Sequence, residues 1–147
     1  MDEKIIFPQA NDFNKVIRII YLSENELLDN QLLSNHLELE TDRQISYYLN
    51  AAIYLGIINQ DKKFTDFGWK LKESGNDTLK NMLSMKIVSK AVFGDVFFYK
   101  YFHGVDLKND EIAQLMLIDS EVNSDSVAER RASTVTSWLK WIETLKD

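Results

Sequence analysis

Cysteine is absent from the chain, and proline occurs once, at Pro8. The first absence excludes disulfides and thiolate metal sites. Only five glycines are present, and they are not clustered. Helices tolerate that economy far better than a turn-rich β-sandwich does. No apolar run approaches the roughly 20 residues of a membrane-spanning helix. The opening Met1-Asp2-Glu3-Lys4 lacks the basic flank and apolar stretch of a signal peptide. The expected compartment is therefore the cytoplasm.

Positive charge is also scarce. Seventeen Lys and Arg stand against 23 acids, a net charge of −6. The residues up to Gly75 carry 12 acids and 8 bases, and the rest 11 and 9, so neither half is a basic module. Phosphate backbones are held mainly by Lys and Arg. Duplex binding would thus need a local basic face on an acidic protein, and a protein partner stays in play.

What the chain has is apolar bulk. Apolar residues make up 45% of its 147 positions, including eight Phe, six Tyr and three Trp. That fills the core of one domain, or of two small ones. Helical spacing of Phe13, Val16, Ile17 and Ile20 predicts a first helix over about 11–21, with Asn11 or Asp12 as its cap. The polar stretch Ser23 to Glu26 follows. A second helix is expected over about 29–37 (Leu32, Leu33, Leu37). Thr41-Asp42-Arg43-Gln44 is a capping box, opening a third helix over about 42–55 that buries Ile45, Tyr48, Leu49 and Ala52. Gly56 ends it as a left-handed cap. Ile57-Ile58-Asn59 and Lys63-Phe64-Thr65 around Gln60-Asp61-Lys62 read as a small β-hairpin.

Thr65 caps a short helix that closes at Gly75, and Leu79, Met82, Leu83 and Ile87 mark another over about 77–90. The run Val96 to Phe102 is too apolar all round for a surface helix, and burial where two halves meet is expected. Ile112, Leu115 and Met116 mark a further helix. After a polar loop, Ser126-Val127-Ala128-Glu129 is a second capping box opening a long last helix. The expected fold class is mainly α, with tandem winged-helix or helix-turn-helix units over 1–75 and 76–147 and one small β-hairpin wing.

Helical geometry also gives the outward faces, at about 100° per residue. On the third helix they hold Arg43, Tyr47, Asn50 and Tyr54, flanked by Gln44 and Ser46. Packing of Tyr47 and Tyr54 beneath another element is an equal alternative. On the last helix Val127, Ala128, Val135, Leu139 and Ile142 face inward, Arg131 points inward with Trp138, and Ser126, Arg130, Ser133, Ser137 and Lys140 face outward. Arg and Asn or Gln are the side chains that pair bidentately with guanine and adenine edges. Lys62 and Lys63 of the hairpin turn are suited to phosphate. A solvated helix surface is the plain alternative for both faces.

Catalytic and cofactor constellations are missing. His36 and His103 lack the spaced partners of a metal site. No Gly-rich loop precedes a helix in phosphate-cradling form. Asp106-Leu107-Lys108 echoes the acid-x-Lys of metal-dependent nucleases without an upstream acid on a strand. A non-catalytic chain with no cofactor is expected.

Two segments carry a resemblance. Asp42 to Ile57 followed by Phe64-Thr65-Asp66-Phe67-Gly68 resembles the winged-helix pattern in which an Arg-Gln-x-x-Tyr-Tyr recognition helix ends at Leu-Gly and a Leu-Thr-x-x-Gly helix follows the wing, here with Phe64 in place of Leu. Arg130 to Trp141 is similar to the closing helix of the same modules. These are DNA-recognition or accessory domains of type II restriction endonucleases and related bacterial defence proteins. The resemblance implies a module contacting double-stranded DNA beside a nuclease domain or subunit. The alternative is a winged-helix protein-interaction module that scaffolds a nuclease or partner subunit, or self-associates.

Overall fold

The computed structural model describes residues 6–119 and 125–145. The chain divides into two compact units, Met1–Asn76 and Asp77–Asp147. Secondary structure is mainly helical, and no strand is present among the described residues.

In the first unit, α1 (Phe13–Ile20), α3 (Asn30–Leu37) and α4 (Asp42–Tyr54) pack pairwise, with the short α2 (Glu24–Leu27) leading into α3. α1 starts at Asp12, whose carboxylate accepts from the Asn14 amide at 3.1 Å. It buries Phe13, Val16, Ile19 and Ile20; Ile17 sits half-buried at the edge of this stripe. α3 supplies Leu33 and Leu37, while Leu32 is largely exposed. α4 buries Ile45, Tyr48, Leu49 and Ala52, the stripe its spacing predicts, together with Ala51. Each fully buried Leu or Ile stabilises the unit by roughly 1.5–3 kcal/mol. Tyr48 adds a polar tie, its hydroxyl accepting from the Asp12 amide at 3.1 Å.

The polar stretch at Ser23 is in fact helical. Ser23 Oγ accepts from the Glu26 amide at 3.1 Å, and Glu26 accepts from the Ser23 amide at 2.9 Å. This reciprocal cap sustains the single turn of α2. α3 passes to α4 through Glu38 in the left-handed region (φ 54°) and the predicted Thr41–Gln44 capping box.

Beyond α4 the expected two-stranded wing is reduced to one antiparallel bridge, Ile58 to Phe64. Gly56 turns the chain at φ 74°, and Lys62 turns it back at φ 61°. Asn59 closes the reversal, its side-chain oxygen accepting from the Asp61 and Lys63 amides at 2.9 and 3.1 Å. The reversal ends where α5 (Asp66–Glu73) begins, two residues after Phe64, whose amide points away from Ile58 and donates to Glu24 of α2 at 2.8 Å.

The second unit holds α6 (Asn76–Val88), α7 (Ala91–His103), α8 (Asn109–Asp119) and α9 (Asp125–Thr144). α9 packs along α8, and α7 packs on both. The core gathers Val92, Phe93 and Val96 of α7, Ile112, Ala113 and Met116 of α8, and Ala128, Ala132, Val135, Trp138 and Trp141 of α9. The Phe93 and Trp138 rings stack with centroids 5.0 Å apart. Trp138 lies inward as its phase predicts and Trp141 joins it, whereas Val127, Leu139 and Ile142, expected to be buried, are only half-buried. The expected burial of the aromatic run holds for Val96 alone; Phe98, Tyr99, Tyr101 and Phe102 are exposed. No helix among the described residues is long and apolar enough to cross a membrane.

Candidate nucleic-acid interface

α4 presents its polar residues at its N-terminal end. Arg43 and Ser46 are exposed, and Tyr47 and Asn50 are half-buried beside them. The side chains of Arg43 and Tyr47, one turn apart, meet directly. Arg43 Nε donates to the Tyr47 hydroxyl at 2.6 Å, and the guanidinium lies 5.5 Å from the ring centroid. A guanidinium braced in this way loses less freedom on meeting a flat acceptor edge. Gln44 is used otherwise. Its side-chain oxygen accepts from the Glu40 and Thr41 amides at 2.8 and 3.3 Å, so this atom serves the helix cap. Tyr54 is half-buried under the N-terminal segment, its ring 5.5 Å from that of Phe7, and burial pushes its phenol well above the ordinary tyrosine range.

The electrostatics around this face are mixed. Glu38, Glu40 and Asp42 are all exposed along the approach to α4. Arg18 is 3.8 Å from Glu38, and Lys15 donates to the Glu38 carbonyl at 3.2 Å.

The turn lysines sit on a braced platform. Lys62 is half-buried and Lys63 exposed. Beneath them, Thr65 donates its hydroxyl to the Gly56 and Ile57 carbonyls and accepts from the Gly68 amide at 3.0 Å. Lys72 of α5 donates to the Leu22 carbonyl at 2.7 Å and lies 4.0 Å from the Phe64 ring centroid. Burial pulls its ammonium below the ordinary lysine range, against the pull of Glu24 and Glu26. Glu24 and Lys72 therefore fix the reversal onto α2 and α5. Neither figured among the sequence candidates, although Ser23-x-x-Glu26 was the signal that a helix begins there.

On α9, Arg130, Ser133, Ser137 and Lys140 recur at helical spacing on the side away from Ala128, Ala132, Val135 and Trp138. Arg130 and Lys140 are exposed, and the two serines are half-buried. Arg131 is half-buried with its Nε shut off from solvent, the inward position its phase predicts. The side chain of Ser126, and the cap expected there, lie outside the described residues. The candidates thus fall into two groups, one around α4 and the following turn in the first unit and one along α9 in the second.

A family model described as Domain of unknown function (DUF7226) matches residues 15–147. The chain belongs to the DUF7226 family. Both groups of candidate residues lie inside the matched DUF7226 span. No curated protein and no solved structure matches the chain.

Proposed function

We propose that this DUF7226 chain is a non-catalytic module that binds double-stranded DNA. In this reading α3, the turn through Glu38 and α4 form a helix-turn-helix, with α4 as the recognition helix. The reversal at 58–64 is a shortened wing whose Lys62 and Lys63 meet phosphate. The second unit contributes the Arg130, Ser133, Ser137 and Lys140 stripe of α9.

The observation that carries the reading is the braced Arg43–Tyr47 pair at the N-terminal end of α4. Recognition helices contact base edges with their N-terminal residues, and arginine is the commonest reader of guanine. The likeness to restriction-endonuclease accessory domains supports the same assignment and a place beside a nuclease in a restriction-modification or defence system.

Arg43→Ala and Asn50→Ala separate base reading from general attraction. In an electrophoretic shift assay with a pool of duplexes, both should relax sequence preference, whereas Lys63→Ala and Arg130→Ala should weaken all sequences alike. Unchanged preference in both α4 variants would remove α4 as the reader.

A second reading, a protein-interaction module on the same scaffold, is favoured by the acidic surroundings of α4. Glu38, Glu40 and Asp42 repel phosphate and would suit a basic partner surface.

A further inference from the structure

The segment that precedes α1 is laid over the face of α4 that carries Arg43 and Tyr47. At about 100° per residue, Arg43, Tyr47, Asn50 and Tyr54 fall within one arc of about 60°. Residues 6–12, which form neither helix nor strand, cover the Tyr54 end of that arc. Phe7 sets its ring 5.5 Å from that of Tyr54, and the Asp12 amide donates to the Tyr48 hydroxyl at 3.1 Å. Phe7, Pro8 and Ala10 are buried, so the segment is seated as a strap rather than lying loose.

We infer that this strap is an autoinhibitory closure, competing with duplex DNA for the outward face of α4. The inference rests on the proposed reading of α4 as a recognition helix. Tyr47 and Tyr54 are two turns apart, about 10 Å along the axis, which is less than the roughly 12 Å width of a major groove. A duplex seated on Arg43, Tyr47 and Asn50 therefore reaches the strap. The strap offers it nothing in return. Ile6-Phe7-Pro8-Gln9-Ala10-Asn11-Asp12 carries one carboxylate and no cation to meet phosphate. Irregular segments are among the first parts of a fold to open. While the strap is closed, the Tyr54 end of the face is withheld, and apparent affinity falls in proportion to the open fraction.

Fluorescence anisotropy with a mixed-sequence duplex, on the full chain and on its Phe7→Ser variant, tests this. Hydrogen exchange over residues 6–12 establishes that the strap has opened in the variant. Phe7→Ser should bind about fivefold tighter or more, while exchange over α1 and α4 stays slow. Equal affinity with the strap open overturns the closure. Weaker binding overturns it too, because it makes the strap a contact rather than a competitor. Silence from both chains at low salt overturns the duplex reading and the closure with it. Binding by the wild type marks the other two outcomes as failures of the closure alone. Should Phe7→Ser lose helical circular dichroism, or leave exchange over 6–12 unchanged, Tyr48→Phe is read in the same way. That change removes only the hydroxyl that accepts from the Asp12 amide.

Discussion

A Cβ on Gly68 would lie 2.1 Å from the carbonyl oxygen of Ile57. The first turn of α5 is thus laid directly on the backbone that leaves α4, at a separation only glycine permits. Thr65, three residues earlier, fastens the same contact from the side, bonding the Gly56 and Ile57 carbonyls and the Gly68 amide. The Thr65-x-x-Gly68 pattern has a physical basis here. It joins the end of α4, the chain reversal and α5 into one rigid piece.

Gly68→Ala should therefore destabilise the protein by about 2–4 kcal/mol, because the obstacle is backbone and cannot swing aside. Gly75→Ala is the control. A Cβ there meets nothing within 4 Å, so this change should be neutral or stabilise by up to about 1 kcal/mol. Urea midpoints of the two variants check the contrast. Equal midpoints would contradict the packing described.

Lys62 holds a left-handed conformation (φ 61°) in the short reversal. L-residues bear a cost there of about 1 kcal/mol that glycine avoids. Lys62→Gly should raise stability by a sizeable part of that amount while removing a turn cation. A rise in thermal midpoint together with weaker duplex binding is the expected pair of results.

Glu26 gives a pH signature. Its carboxyl is held below its ordinary value of 4.5, first by the Ser23 amide and then by the Ser23 hydroxyl and the His36 ring at 3.0 Å. A depressed folded-state value means that the α2 cap is fully supported above about pH 4.5 and fades as pH falls through the lowered value. Carbon-detected NMR titration should find Glu26 among the more acidic glutamates. Ser23→Pro, which removes the amide, should move it upward more than Ser23→Ala, which removes only the hydroxyl; no movement in either would remove the cap as the cause.

The elements built on caps and stripes were legible in the sequence. Thr41–Gln44, Thr65, Gly56 and the Ile45–Leu49–Ala52 stripe each state a local preference that packing then reinforces. What was not legible depended on partners distant in the chain. Glu24, forty residues away, takes the Phe64 amide and anchors the reversal on α2, a contact that no local signal announces. Gln44 was suited to base reading by residue type, yet its oxygen is occupied by the cap that its own spacing announces. The aromatic run of α7 was expected to be buried on hydropathy alone, and whether a neighbour covers it is not written in its own residues. On α9 Trp138 lies inward as expected, but Trp141 shares the buried arc and Val127, Leu139 and Ile142 are only half-buried.

The most direct test of the proposed function is the salt dependence of duplex binding by the full chain, followed by fluorescence anisotropy with a mixed-sequence duplex. Phosphate contacts from Lys62, Lys63, Arg130 and Lys140 predict a slope of about −3 to −4 in log affinity against log salt, a loss on the order of a hundredfold between 50 and 200 mM. Removing any one of these cations should make the slope shallower by about one. Absence of binding at 50 mM salt, or binding that ignores salt, would contradict the assignment of this DUF7226 chain to double-stranded DNA.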